Sequence, residues 1–196
     1  MLLIDKDGWV VDKKVEIMRR PLLQHGAMKT VHGIIVHQTG AGTASSTLNS
    51  YLATGANGAH FLIDKDGTIY QTGSIFWRQY HVGKIKARCL LEKTCTPVEA
   101  KALAKMGPTA MNTHESTKSV PDRFPDNSDS IGIELVGAAL GLTGAAPYEA
   151  VSAAQNVSLH WLVGQLEENL HVPTTEVFRH PVVSRKDNHE AETAVW

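Results

Sequence analysis

The chain has little of what would assign it at a glance. Of its 196 residues only two are cysteine, Cys89 and Cys95, close together in Cys-Leu-Leu-Glu-Lys-Thr-Cys. A zinc pair is usually spaced more tightly and needs two further ligands nearby. Two free thiols are therefore expected, or a local disulfide if the protein works in an oxidising compartment. Net charge is -1, so neither sign is in excess, and neither nucleic acid nor an anionic membrane is indicated as a partner. No apolar run approaches the length of a membrane span. Met1 to Gly8 lacks both a charged n-region and a long apolar h-region, so a Sec signal is not expected and synthesis in the cytosol is. There is no His-Glu-x-x-His motif, which removes the commonest single-helix signature of a zinc hydrolase. No internal repeat is apparent.

What is present describes a soluble globular chain: 42% apolar and 20% charged, enough for one domain over 1–196 with a sizeable core. Residues 2–17 include Ile-Asp-Lys-Asp-Gly-Trp-Val-Val, which has the character of a strand or the start of a hairpin. Ile34-Ile35-Val36 is a β-branched strand followed by a small-residue loop. Leu48, Tyr51 and Leu52 at helical spacing predict a helix over 47–53 that stops at Gly55. Residues 59–71 form the clearest hairpin, with apolar strands around Lys65-Asp66-Gly67. Val98 to Met106 is a predicted helix capped by Thr96 with Pro97 at its first position. Residues 107–129, rich in Pro, Ser, Thr, Asn and Asp, are expected to form an ordered surface loop. Residues 130–137 are a further buried strand. The longest helical pattern covers 147–170, with Val151, Ala154, Val157, Leu159, Trp161, Leu162 and Leu166 on its apolar face. Strands and helices mix without regular βαβ alternation. This predicts an α/β single domain, a central mixed β-sheet flanked by helices, with an insertion at about 84–129.

Three residues break the apolar logic of these strands. His37 ends Ile34-Ile35-Val36, and His180 ends Val177-Phe178-Arg179, so two distant strands each deliver an imidazole to a strand end. That pattern suggests a metal site, against the plainer reading of two half-buried histidines. Glu134 lies between Ile133 and Leu135, where a charge is costly to bury. It either faces outward on an alternating strand or points into a pocket, where burial raises its pKa and suits it to proton transfer.

The order of these fragments resembles the zinc-dependent N-acetylmuramoyl-L-alanine amidases, the type 2 amidases that share a fold with peptidoglycan recognition proteins. It runs from His37 through Ala59-His60-Phe61-Leu62-Ile63-Asp64-Lys65-Asp66-Gly67, His81-Val82-Gly83 and Ser130-Ile131-Gly132-Ile133-Glu134-Leu135 to Arg179-His180 and Lys186. The resemblance covers about residues 30–190, and the Ile-Gly-Ile-Glu-Leu segment is its most specific part. It implies a mixed sheet with Zn2+ in a cleft at one face. It makes His37 and His180 zinc ligands, Glu134 the general base and acid, and Lys186, six residues after His180, the oxyanion contact. His81 becomes a substrate-binding histidine, while His60, inside a hairpin strand, is read as structural.

Two departures stand out. The phage branch has a tyrosine just before the hairpin His-Phe, where this chain has Ala59. The third zinc ligand should fall two residues beyond the lysine, on Asn188, which is a poor ligand. With a one-residue insertion His189 fills the position, and His189 is the expected ligand, with Asp187 and Glu190 as alternatives.

The resemblance implies hydrolysis of the amide joining N-acetylmuramic acid to L-alanine, in peptidoglycan or soluble muropeptides. The biological setting expected here is an antibacterial effector delivered by a type VI secretion system into the periplasm of a target cell, with an immunity protein as partner. A phage endolysin, a cytosolic recycling enzyme and a non-catalytic peptidoglycan-binding module are the alternatives.

Overall fold

A computed structural model describes residues 2–141 and 146–196. Its centre is a six-stranded mixed sheet in the order β1-β4-β3-β5-β2-β6. The strands are β1 (Val15–Ile17), β2 (Gly33–Gly40), β3 (Phe61–Ile63), β4 (Ile69–Gln71), β5 (Ser130–Ala138) and β6 (Val177–Arg179). All neighbours pair in parallel except β3 and β4, which form the expected hairpin. Its turn closes through Gly67 at φ +90°, a conformation that glycine adopts without a Cβ penalty.

The sheet's alternation sorts the core into two sides. Ile34, Val36, Ile131, Ile133 and Leu135 join Leu159, Leu162 and Leu166 in the main apolar cluster. These last three come from α5 (Ala153–Leu170), which covers that side of the sheet. Each fully buried Leu or Ile there contributes about 1.5–3 kcal/mol. Residues one step out of phase, Ile35 with Phe178, pack on the opposite side in a smaller cluster with Val82, Ile85, Phe124 and Val183. His37 and Glu134 share the phase of Ile35 and Gly132, so they face this second, less filled side.

Helix α5 begins later than its sequence pattern suggests. Ser152 caps it in a reciprocal capping box with Gln155, so residues 147–151 lie outside the helix. The Gln155 amide then reaches the sheet, donating to the carbonyls of Ile63 (3.1 Å) and Val136 (2.9 Å). Val157, assigned to the apolar face from its spacing, is 72% exposed. The early helix α1 (Ala44–Ser50) starts at a Thr43 cap, three residues before its expected first residue.

The insertion is more helical than expected, since α4 lies within the stretch 107–129 expected to form a loop. It carries α2 (Arg88–Glu92), α3 (Pro97–Leu103) and α4 (Pro108–Glu115). The Thr96 cap and Pro97 of α3 are as the sequence indicates. Thr109, Asn112 and Thr113 hide the periodicity of α4, whose inner face consists of Met111 and a fully buried Glu115 paired with Lys118 at 2.8 Å. Cys89 and Cys95 form a disulfide, which corrects the expectation of free thiols. Arg88 ties α2 to the turn before β6 through two bonds to Glu176, at 2.9 and 2.8 Å. Among the described residues no helix is long and apolar enough to cross a membrane.

Candidate metal centre and cleft

The carboxyl ends of the parallel strands β2 and β5 and the chain just after β6 meet at one end of the sheet, the usual place for a site in such a fold. His37 and Glu134 are paired across β2 and β5, so both side chains leave the same face. His180 follows β6 directly as the first residue of the short helix α6 (His180–Val183). The three line one cleft of about 730 Å³ together with His81, Tyr148, Lys186 and Glu190.

Within the cleft, three buried groups converge. Glu190 Oε1 lies 2.9 Å from His180 Nδ1 and 3.3 Å from His37 Nδ1. One potential ligand atom from each residue falls within 4.8 Å of the others. The proton inventory shows why a cation suits this arrangement. His180 Nε2 lies 2.8 Å from the carbonyl oxygen of Val82, which can only accept. Nε2 therefore carries a proton, with the Ser184 hydroxyl 2.9 Å away able to accept from it as well, and in the neutral form the ring turns a bare Nδ1 lone pair toward a carboxylate. Electron-rich atoms facing one another out of water repel unless a proton or a metal lies between them. Two imidazole nitrogens and one carboxylate oxygen also form a recognised catalytic zinc set that leaves a fourth position open. The residues present fit zinc.

His189 stands outside this group, which corrects its expected place as the third ligand. Its Nδ1 pairs with Glu192 at 2.8 Å, and its side chain is 41% exposed. Glu190, one of the alternatives, is the residue turned inward. Burial holds His37 low, so it is neutral at physiological pH.

Glu134 is shifted the opposite way. Burial first, and then repulsion from Glu190, raise its pKa to about 8, with Lys186 pulling the other way. Its Oε2 is enclosed without a hydrogen-bond partner. An unsatisfied, easily protonated carboxyl in a cleft suits proton transfer better than a structural ion pair. Lys186 is exposed at the cleft wall, where its ammonium is free to meet a ligand.

His81 lies where it was expected, on the cleft wall, but its ring is turned to the protein. Nδ1 is 3.0 Å from His37 Nε2, and Nε2 is 3.3 Å from the Ser130 carbonyl oxygen. His60 is structural, as read: Gly132 N–H donates to its Nδ1, and Trp77 O accepts from its Nε2, both at 3.0 Å. Sequence reasoning missed Tyr148 and Gln38. Tyr148 carries no motif. Gln38 anchors the far segment, its Oε1 accepting from Ala191 N–H at 3.2 Å.

Residues 27–191 match the family described as N-acetylmuramoyl-L-alanine amidase. No curated protein sequence matches the chain. Among solved structures, the catalytic domain of XlyA is similar at 19% identity and TM-score 0.56, over 88% of this chain and 87% of that one. A selenomethionine derivative of AmpD is similar at 18% and 0.57, over 93% and 88%. AmpDh3 from Pseudomonas aeruginosa in complex with anhydromuramic pentapeptide is similar at 20% and 0.55, over 96% of this chain and 61% of that one. At these identities the structural likeness concerns the fold.

Proposed function

The chain belongs to the N-acetylmuramoyl-L-alanine amidase family, and on that premise we propose a zinc-dependent hydrolase that opens the amide between the lactyl group of N-acetylmuramic acid and L-alanine. The observation that carries the reading is the convergence of His37 Nδ1, His180 Nδ1 and Glu190 Oε1 in the cleft that also holds Glu134. Zinc bound by these three residues would polarise the scissile carbonyl and lower the pKa of water toward neutrality.

The remaining work belongs to the protein's own groups. Glu134, with a pKa of about 8, has both protonation states within reach near neutral pH. It takes the proton of the attacking water, and the same proton then goes to the leaving amine of L-alanine, so the carboxyl ends as it began. Lys186 supplies a positive charge at the cleft wall for the oxygen that gains charge as the carbonyl is attacked. Elemental analysis of the purified chain should find one zinc, and mass spectrometry of digested sacculi should find stem peptides with free L-alanine amines. A metal-replete protein that holds no zinc and releases no peptide would leave a peptidoglycan-binding module in its place.

We infer further that the enzyme is an antibacterial effector acting in the periplasm of a target cell, delivered by type VI secretion and restrained in the producer by an immunity protein. The support is the Cys89–Cys95 disulfide, since such bonds persist in oxidising compartments. Directed to the periplasm of a Gram-negative host, the chain should lyse it, while cytosolic expression should be tolerated. Cleavage of soluble muropeptides without attack on sacculi would favour a recycling role instead.

A further inference from the structure

Acceptors for protons on both ligand histidines come from one dipeptide. His81 Nε2 lies 3.3 Å from the carbonyl oxygen of Ser130 and 3.4 Å from its Oγ. The Ser130 hydroxyl already donates its proton to Asp126 O at 2.6 Å, so toward His81 both atoms can only accept. His81 therefore carries its proton on Nε2, and its bare Nδ1 accepts from His37 Nε2–H at 3.0 Å. That places the His37 proton on Nε2 and leaves Nδ1 open toward Glu190. The next residue acts likewise on the other ligand: the Val82 carbonyl accepts from His180 Nε2–H at 2.8 Å, with Ser184 Oγ, 2.9 Å from the same nitrogen, as a second acceptor. Both backbone amides of this pair, His81 N–H and Val82 N–H, donate to Asn127 Oδ1, at 2.9 and 2.8 Å. Gly132 leaves room for the arrangement: a Cβ there would meet the His81 ring at 2.8 Å.

We propose that the dipeptide His81-Val82, clamped by Asn127, is the positioning element that orients both ligand histidines and turns their Nδ1 atoms to the metal. His81 thus acts through His37 and not on substrate. The inference rests on the zinc reading above, but its first test does not need the metal. Outer partners of metal-bound histidines fix tautomer and ring orientation, and their loss typically costs about 10–100-fold in metal affinity.

The tests use the full chain, zinc-free and zinc-titrated, as wild type and as His81→Ala, His81→Asn, Asn127→Ala and Asn127→Asp. Long-range proton–nitrogen NMR of the zinc-free wild type should show His37 and His180 with the proton on Nε2. His81→Ala should give His37 a tautomer mixture and leave His180 unchanged, with zinc binding about 10–100-fold weaker in chelator competition. Asn127→Ala should disturb both rings. His81→Asn, which retains an acceptor near the Nδ1 position, and Asn127→Asp, which retains the double acceptor, should recover most of the affinity. These rescues separate positioning from a folding defect, which melting temperature monitors in parallel. A His37 ring that keeps its Nε2 proton in His81→Ala, or zinc affinity within twofold of wild type in both alanine variants, would overturn the proposal. A wild type that binds no zinc yet shows both Nε2 tautomers would instead remove the zinc reading and leave the orienting role intact.

Discussion

His60 gives the sharpest physical prediction, because its surroundings are fully specified. The ring is completely buried on β3's approach, between the Gly132 amide and the Trp77 carbonyl. An amide can only donate and a carbonyl can only accept, so one neutral tautomer satisfies both partners. Protonation would set a second N–H against the Gly132 N–H and charge a ring that water does not reach. Burial accordingly holds the pKa at about 4, against an ordinary 6.5, with the Trp77 bond opposing in part. The nearest ring, His81, is itself held neutral by burial and adds no compensating charge.

The sign follows from linkage. The unfolded chain protonates this group at higher pH than the folded one, so its contribution is fully present above pH 6.5 and is lost as pH falls toward 4. At about 1.4 kcal/mol per pH unit over that window, the loss comes to about 3 kcal/mol. Other buried groups, His37 among them, titrate in the same direction, so the measurement is a difference. Urea unfolding of wild type and His60→Gln, both held zinc-free with a chelator, should show a stability gap that is constant above pH 6.5. The gap should shift by about 3 kcal/mol against wild type by pH 4 and level off below it. A gap that does not change with pH, or an NMR titration of His60 centred near 6.5, would refute the reasoning.

Glu190→Ala should abolish stoichiometric zinc binding, while His189→Ala should leave it at the wild-type level; elemental analysis of the two proteins decides between them. Glu134→Gln should lose turnover on sacculi but retain zinc, and unchanged hydrolysis by that variant would remove Glu134 from the mechanism. Reduction of Cys89–Cys95, which closes a loop of sequence separation 6, should lower stability by about 2 kcal/mol on chain-entropy grounds. Urea midpoints with and without reductant measure that, and identical midpoints would mean that α3 and α4 hold the segment unaided.

Much of the site was legible because strands advertise themselves. A β-branched run ending in a polar residue has few explanations, and His37, Glu134 and His180 were each visible as a break in such a run. The hairpin over 59–71 was equally plain, with an Asp-Gly turn between apolar segments. What stayed hidden depends on contacts between distant segments. Helix α4 has threonine and asparagine where a helix pattern should show apolar residues, and its buried glutamate is tolerable only because Lys118 folds back onto it. The disulfide could not be separated from two free thiols by spacing alone, since the distance between the sulfurs is set by how α2 turns back at Lys93, in the left-handed conformation at φ 59°. His81 was placed on the cleft correctly, but its orientation follows from Ser130, far along the chain.

The placing of Glu190 rather than His189 beside His37 and His180 shows the limit of counting along a sequence. Residues 187–190 offer four polar side chains in a row, and spacing cannot choose among them, because in a tight turn neighbours point in different directions. The turn is built from Glu190 N–H to Asp187 O at 3.1 Å and His189 N–H to Asp187 Oδ1 at 3.0 Å. Its exit is fixed by Ala191, which sits at φ 55° and donates to Gln38 at 3.2 Å. Gln38 is the residue after His37, and its amide is held in turn by Glu149 O at 2.7 Å. The strand that presents His37 therefore also anchors the turn that presents Glu190. With Ala191 held there, Glu190 points back to His37 and His180, while His189 is left to pair with Glu192 in solvent. The choice of glutamate over histidine thus lies in a backbone contact between β2 and the C-terminal segment, and the chemistry of the four candidate side chains does not decide it.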